Sequence, residues 1–408
     1  LFTHAYSATP VCSPYRTGLQ TGKYSHSTTF KLKPGETTLP MCFKKAGYNT
    51  GYIGKWHMSP ATTETRSVKG PIRNYVAPEN RVGWDFFAGH EVSHRYFGSE
   101  KNGALYFLNN DQDPKFLKQD EYEPEIQTDI ALEFMEQHQD DPYLLLLSWG
   151  PPHNPYQPPE KYDRIDPASI KLNPNVPQQY ESQARSILAR YYAQIVSLDD
   201  QLGRIVEKLE RTGQRENTII WFSSDHGDMI YSQEDQNESK SPGMKRRPWE
   251  EAARIPGIVS WPGKIEKGKK SDMLFCSVDY MPTLLGLAGI PSPGTAHGQD
   301  LSSTILNQSE FKRDAIFLEQ TAAGNTPYHS PWRAVRTREY LYAKSGHSED
   351  EEWLLYNVEE DPYQLINLVR NPQYESIRQE LQTKLLHWKQ ETQDTQDLRK
   401  EFLDKSRN

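Results

Sequence analysis

Cys12-Ser13-Pro14-Tyr15-Arg16 places a nucleophile, a turn-forming proline and a guanidinium side by side, and Thr17-Gly18-Leu19-Gln20-Thr21-Gly22 follows. The Pro-Tyr step favours a turn, and Arg16 returns toward the cysteine after about one helical turn. The residues beyond can run on as helix, which sets Cys12 near a helix N-terminus. Free backbone N–H groups and the positive end of the dipole favour an anion there, and a nucleophile facing an anionic ester needs that environment. A buried structural cysteine beside an ordinary turn is the plainer reading. A thiolate nucleophile of the protein-phosphatase type is disfavoured, because the cysteine–arginine spacing is shorter than that loop requires.

Five other stretches carry side chains with chemistry. Lys55 and His57 stand in Gly54-Lys55-Trp56-His57-Met58, after a segment that reads as a strand. Ligands of open parallel sheets bind outside the carboxyl ends of the strands; a solvated loop is the alternative. His153 stands in Gly150-Pro151-Pro152-His153-Asn154-Pro155-Tyr156, where prolines fix the loop and leave the histidine projecting. Asp225-His226-Gly227 closes another strand. A carboxylate and an imidazole side by side can both ligate a metal when a tight turn follows, although Asp and Gly are also ordinary turn residues. The carboxylate suits a hard cation such as calcium, whereas imidazole is more at home on zinc. Lys245 belongs to a basic cluster, Met244-Lys245-Arg246-Arg247, of a kind that is usually just solvated. His90, His94 and Arg95 lie in a polar, aromatic stretch from Ser59 to about Pro124, read as surface loop or as a substrate rim.

The elements that must position these groups follow from periodicity. Thr38 to Lys45 reads as a helix ended by Gly47, and Tyr48 to Ile53 as a strand. Gly83 to Phe87 reads as a small strand and Glu125 to Gln139 as a helix. Tyr143 to Trp149 is a near-continuous apolar run, the mark of a strand buried on both faces. Ser182 to Thr212 is one long helix with Ile187, Tyr191, Ile195, Leu198, Leu202, Ile205 and Leu209 on one stripe, and Gly213 suits its C-terminal cap. Thr218 to Phe222 is the strand that leads to Asp225. Asp279 to Gly289 reads as a structural helix. After about Asn307 come four short strands (Ala315–Glu319, Trp332–Thr337, Tyr340–Lys344, Glu352–Tyr356) and a helix with Ile377, Leu381, Leu385 and Trp388 on one face.

The bulk numbers bound the class. The chain has 408 residues, room for a large domain and a smaller one. Its net charge of −8 argues against general nucleic-acid binding while leaving room for a local basic pocket. Mean hydropathy is −0.83, and no apolar run approaches the ~20 residues of a membrane span. Cys12, Cys42 and Cys276 make no disulfide framework. The chain opens at Leu1 without a charged, apolar leader pattern. Asn237-Glu238-Ser239 and Asn307-Gln308-Ser309 match the glycosylation acceptor pattern, a weak signal at this length.

Taken together, Cys-x-Pro-x-Arg with Thr-Gly, Gly-Lys-Trp-His, Pro-His-x-Pro-Tyr, Asp-His-Gly and Lys245 ahead of Trp249-Glu250 and Arg254-Ile255-Pro256 occur in an order that resembles the type I, formylglycine-dependent sulfatases of the alkaline phosphatase superfamily. The resemblance covers nearly the whole chain; Tyr15 departs from the commonly small residue there. It implies an α/β fold with a mixed central sheet flanked by helices over residues 1–308, and a small C-terminal α+β subdomain over 309–408, an antiparallel sheet plus helix. It implies that Cys12 is oxidised to formylglycine by a maturation enzyme, hydrates to a gem-diol and attacks sulfur. Arg16 and Lys55 would hold the formylglycine, Lys245 the sulfate, and His153, or Lys245 beside it, would protonate the leaving oxygen. His57 would take the proton that lets the second hydroxyl expel sulfate. Asp225 and His226 would ligate one calcium ion. In the family a strand bearing an Asp-Asp pair of metal ligands precedes the cysteine motif; the expectation is that this strand is missing here, cut away or part of a longer protein. Abundant tryptophan and tyrosine lean toward a sulfated carbohydrate as substrate. The family implies a secreted, periplasmic or lysosomal location. Two other functions stay open: a formylglycine-dependent phosphonate or phosphate monoesterase, and a catalytically dead glycan-binding relative.

Overall fold

The structure is a computed structural model that describes residues 1–28, 31–33, 35–60, 74–99, 103–233, 245–307, 311–321, 330–347 and 351–406. The chain begins with β1 (Phe2–Tyr6), α1 (Cys12–Thr21), α2 (Leu39–Lys45) and β2 (Asn49–Lys55). It continues through β3 (Phe86–His90), β4 (Leu105–Leu108), β5 (Lys115–Phe116), α3 (Glu123–Gln137) and β6 (Tyr143–Ser148). A 31-residue helix, α4 (Glu181–Arg211), leads to β7 (Ile220–Ser223), β8 (Gly257–Ser260), β9 (Ser271–Cys276) and α5 (Tyr280–Leu287). The C-terminal part holds β10 (Ala315–Gln320), β11 (Trp332–Thr337), β12 (Tyr340–Ser345), β13 (Glu352–Asn357), α6 (Glu375–Glu391) and α7 (Leu398–Ser406).

Two mixed sheets carry the site. In one, β2 is parallel to β3 and to β6, and the order is β5-β4-β3-β2-β6. In the other, β1 is parallel to β9 and antiparallel to β8, and the order is β7-β8-β1-β9. Helix α5 ties the two together. Its Tyr280 packs with Phe2 and Phe275 of the second sheet, while Met281 and Leu285 pack with Leu39 and Phe43 of α2 and with Leu144 of β6. The expected α/β architecture with mixed sheets, flanking helices and a C-terminal antiparallel sheet is what the structure shows.

Local chemistry explains where elements begin. Helix α3 starts at Glu123, two residues before the periodicity places it, because Pro124 is pre-organised for a first turn and Glu123 and Glu125 complement the dipole there. Strand β3 lies further along the chain than expected: Gly51 pairs with Phe86 and Lys55 with His90, so His90 is a strand residue. Strand β6 is not buried on both faces. It ends its sheet among the described residues, and Tyr143 to Leu147 are half-buried. Helix α4 also departs from its apolar stripe. It buries Ala184, Ala189, Ala193 and Leu198, whereas Ile195 is 40% exposed.

The four C-terminal strands form an antiparallel sheet in chain order, covered by Leu381, Leu385 and Trp388 of α6. That core also takes in Tyr6, Ala8, Trp249 and Cys276, so the sheet is packed against the first part of the chain rather than tethered to it. A buried charge cluster clasps the two. Glu319 of β10 accepts from the Ser25 hydroxyl at 2.7 Å, and its other oxygen lies 2.7 Å from His26 Nδ1. Arg333 Nε is 3.4 Å from Glu319 and 2.6 Å from Asp394. His26 Nε2 meets the Thr392 carbonyl at 3.1 Å, so both ring nitrogens face acceptors. His26, Glu319 and Asp394 have the donor types of a metal site, but the Arg333 guanidinium already supplies their countercharge.

Burial pushes the Glu319 carboxyl up, but the Arg333 charge and the His26 bond outweigh it and hold the group down at about 2. Burial pushes His26 down, and the bond and charge of Glu319 reverse this to a net rise. The Glu319 contribution to stability is therefore present above its ordinary value of 4.5 and is lost as pH falls from there through about 2. The His26 contribution is present below its ordinary 6.5 and is lost as pH rises through its raised value. Glu319→Gln should cost about 3–5 kcal/mol, because it leaves a buried guanidinium short of a partner. Thermal unfolding against pH should show a lower Tm near neutrality and a shallower fall below pH 4.5 than in the unmodified protein. An unchanged acid limb would show that the pair is not what acid breaks.

Candidate active site

Helix α1 opens on Cys12, with Val11 extended at its N-cap, so the thiol sits at the helix N-terminus. The side chain is buried. Three groups converge on Sγ: His226 Nε2 at 3.2 Å, Lys245 Nζ at 3.5 Å and Lys55 Nζ at 3.6 Å. Burial pushes the thiol up, but the charges of Lys55 and His226 outweigh it and hold the group well below the usual thiol range. The pocket is thus built for negative charge at this position.

Arg16, one turn along α1, joins three strand ends. It donates to the Lys55 carbonyl at 2.8 Å, to Ser148 Oγ at 2.5 Å and to Asp225 Oδ2 at 3.1 Å. Lys55 is the last residue of β2 and is buried. It is preceded by Gly54 at φ +102°, where a Cβ would lie 2.1 Å from the Ser148 carbonyl oxygen, so only glycine lets β2 and β6 end side by side. Burial lowers the Lys55 ammonium, and the Cys12 charge offsets this only in part. His57 adopts φ +58°, and its carbonyl accepts from Ser13 Oγ at 2.6 Å. Burial also lowers the His57 imidazole against its bond to Cys12, which favours a neutral ring able to accept a proton.

His153 and Lys245 meet on the opposite side. His153 Nδ1 is 2.7 Å from the Asn154 carbonyl, which assigns the proton to Nδ1, and Nε2 then accepts from Lys245 Nζ at 2.9 Å. Lys245 is brought to Cys12 because the next residue is held from two sides. The Arg246 N–H donates to Pro10 at 2.9 Å, and Trp332 Nε1 donates to the Arg246 carbonyl at 2.8 Å.

Asp225 and His226 follow β7. Ser7 Oγ donates to the Asp225 carbonyl at 2.8 Å, and the Gly227 N–H donates to Ala252 at 2.9 Å, which pins the turn. His226 Nδ1 is 2.6 Å from the Gly227 carbonyl, and its Nε2 lies 3.2 Å from Cys12 Sγ and 3.5 Å from Asp225 Oδ1. Burial pushes Asp225 up, and His226, Arg16 and Lys55 pull it to a net lowering. One carboxylate oxygen, one imidazole nitrogen and Cys12 Sγ lie within 4.8 Å of one another, a donor set that fits a cation.

The structure therefore brings Cys12, Arg16, Lys55, His57, His153, Lys245, Asp225 and His226 into one site at the carboxyl ends of β2, β6 and β7. It divides the other three candidates. His94 and Arg95 are exposed. His90 is 1% exposed, in β3, with Nε2 2.8 Å from Glu123 Oε1, so it cannot stand on a substrate rim. Its pairing opposite Lys55 in a buried parallel ladder takes it inward. Ser148 and Tyr96 were not singled out from sequence. Ser148 closes β6 and receives Arg16, and the Tyr96 hydroxyl donates to the His153 carbonyl at 2.9 Å. Ser148 lies inside the run read as a strand from Tyr143 to Trp149, one residue before its expected end; nothing local marked Tyr96. The glycosylation pattern at Asn237 lies outside the described residues, as do Gln308 and Ser309 of the second one.

Such a cationic cup around a buried cysteine at strand ends suits an anionic group, and comparison with known proteins gives the family. The sulfatase family model matches residues 1–290, and the C-terminal model of N-sulphoglucosamine sulphohydrolase matches residues 244–391. The chain is 35% identical over 396 residues to an ulvan-active sulfatase of Formosa agariphila, covering 94% of this chain and 73% of that protein. It is 27% identical to an endo-4-O-sulfatase of Bacteroides thetaiotaomicron, covering 93% of this chain and 80% of the relative. The crystal structure of yidJ from Bacteroides fragilis superimposes with a TM-score of 0.83 at 26% identity, over 98% of this chain and 89% of the other. The chain belongs to the sulfatase family, hydrolases of sulfuric esters. No helix among the described residues is long and apolar enough to cross a membrane.

Arg16→Lys keeps the charge but loses the fork that reaches three acceptors. We expect a loss of about 1.5–3 kcal/mol in unfolding free energy, the worth of hydrogen bonds to a charged group. Sulfatase activity should fall further than stability alone explains, because the Lys55 and Asp225 ends are no longer tied together. Denaturant unfolding and kcat/KM measured on the same preparation check this; full retention of both would show that the charge alone suffices.

Proposed function

We propose that this sulfatase hydrolyses sulfate monoesters of a carbohydrate, with Cys12 converted to formylglycine by a maturation enzyme and one calcium ion held by Asp225 and His226. The observation that carries the reading is the convergence of Lys55, Lys245 and His226 within 3.6 Å of a buried Cys12 Sγ at a helix N-terminus. Support for a carbohydrate substrate comes from the relatives, of which one is named for ulvan and another as an endo-4-O-sulfatase. The hydrated aldehyde would supply a nucleophilic hydroxyl with a second hydroxyl beside it, and the calcium ion would supply Lewis-acid charge to the ester oxygens.

The chain's own residues do the rest. Arg16 and Lys55 fix position 12 against the ends of β2 and β6. The Lys55 and Lys245 ammonium groups face the sulfate oxygens, where preorganised charge in a dry pocket is worth most. As the bond from sulfur to the leaving oxygen breaks, that oxygen needs a proton, and His153 Nε2, charged from Lys245 across 2.9 Å, is placed to pass it on. Neutral His57 takes up the proton released at position 12 when sulfate departs.

Mass spectrometry of the peptide spanning Cys12, from protein made with a maturation enzyme, should show loss of the thiol sulfur and gain of an aldehyde. An unmodified thiol in fully active enzyme would sink this part of the reading. Sulfate and phosphate esters of one alcohol, compared by kcat/KM, should favour the sulfate; preference for the phosphate would make the chain a phosphomonoesterase.

The roles of the facing pair separate by leaving group. A sugar alcohol has a high pKa and needs the proton, whereas an activated phenol needs it little. His153→Ala should lower kcat/KM by about 10²–10⁴ on a sulfated sugar and far less on an activated aryl sulfate. Lys245→Ala should lower both by about 10²–10³, since the sulfate is common to them. Equal losses for His153→Ala would remove it from the acid role, and a selective loss for Lys245→Ala would transfer that role to the lysine.

A further inference from the structure

We propose that His94 is a positioning residue for His153: its ring lies face to face with the His153 imidazole, centroids 4.4 Å apart and planes 19° from parallel, and holds the proton donor in the plane in which it works. The inference rests on the reading of His153 as leaving-group acid.

The hydrogen bonds of His153 both lie along the ring plane, from Nδ1 to the Asn154 carbonyl and from Lys245 to Nε2. Such bonds fix where the two nitrogens sit but offer little resistance to the ring tipping about the line that joins them. A flat partner on the ring face supplies that resistance, and His94 is such a partner. The segment that carries it is anchored on both sides. Upstream, His90 is buried in β3 and bonded to Glu123 Oε1 at 2.8 Å. Downstream, the Glu123 N–H donates to the Tyr96 carbonyl at 2.7 Å, and the buried Tyr96 sends its hydroxyl to the His153 carbonyl at 2.9 Å. One glutamate at the start of α3 thus sets both ends of a short arm, and that arm reaches the His153 loop twice, once through the Tyr96 hydroxyl and once through the His94 ring. Burial of the ring face turned to His153, with the charges of Lys55 and Lys245, lowers the His94 imidazole to about 4 although its other side is exposed. It therefore stacks as a neutral ring and adds no third cation beside the two lysines.

The test is a double-mutant cycle read on two substrates. His94→Ala should lower kcat/KM about tenfold on a sulfated sugar, mostly in kcat, with a far smaller loss on an activated aryl sulfate. His94→Phe keeps a flat face without a titrating group and should recover most of the loss. Adding His94→Ala to His153→Ala should cost nothing more, since there is no ring left to position. An additional loss in the double variant, a loss confined to KM, or a His94→Phe variant as poor as His94→Ala would each overturn the proposal. A silent His94→Ala beside a selective His153→Ala would overturn it and leave the acid assignment standing. Equal losses on the two substrates for His153→Ala would overturn both.

Discussion

The interaction on which the rest of the site depends is the Arg16 guanidinium. A planar fork with donors in fixed directions is the one side chain that can reach a carbonyl, a hydroxyl and a carboxylate from a single position. Its three acceptors, Lys55, Ser148 and Asp225, close β2, β6 and β7, which belong to two different sheets. Because Arg16 lies one helical turn after Cys12, the same helix that presents the thiol also measures the distance between the strand ends. The glycine at position 54 serves the same closure, since any side chain there would separate β2 from β6.

That arrangement concentrates positive charge. Lys55 and Lys245 approach one sulfur atom, with Arg16 behind them, and Asp225 is the carboxylate that Arg16 pairs with. Like charges gathered in a half-dry pocket repel, and burial alone already lowers the Lys55 ammonium. The strain is relieved when an anion enters, so the pocket's own electrostatics favours a substrate with charge on several oxygens over a neutral ester. His57 is lowered first by burial and further by the Lys55 charge, so the same cations add to what burial does.

Sequence spacing made much of this legible, and the reason is local. Cys12 to Arg16 is one helical turn, so pattern and contact coincide. Lys55 ends a strand, His153 and Asp225 each follow one, and the exits of strands in such sheets converge. The misplacements came where tertiary pairing decides. His90 looks like a loop histidine until the ladder with β2 carries it inward, opposite Lys55. The apolar run of β6 suggests burial on both faces, yet among the described residues the strand ends its sheet and is half-buried. Tyr96 carries no local signal, because its role exists only through a hydrogen bond to a residue 57 positions away. The matched order of motifs led to the family; the contacts that hold those motifs together needed the coordinates.

The C-terminal sheet illustrates the same limit in the other direction. From sequence it reads as an accessory of short strands, yet it reaches the segment that carries Lys245. Buried Trp332 of β11 donates to the Arg246 carbonyl, and Arg336 of the same strand binds Glu250 Oε1 at 2.9 Å. The Tyr6 hydroxyl, from β1, takes the other Glu250 oxygen at 3.0 Å. Residues 246 and 250 are therefore clamped between β1 with the segment that follows it and β11. Arg246 has to hold a left-handed conformation, φ +70°, to place Lys245 beside Cys12. A non-glycine residue keeps that conformation only when its surroundings over-determine it. The two hydrogen bonds to the Arg246 backbone, one from each part of the chain, provide that determination. The sheet farthest in sequence from Cys12 is in this sense part of the apparatus that holds Lys245 beside it.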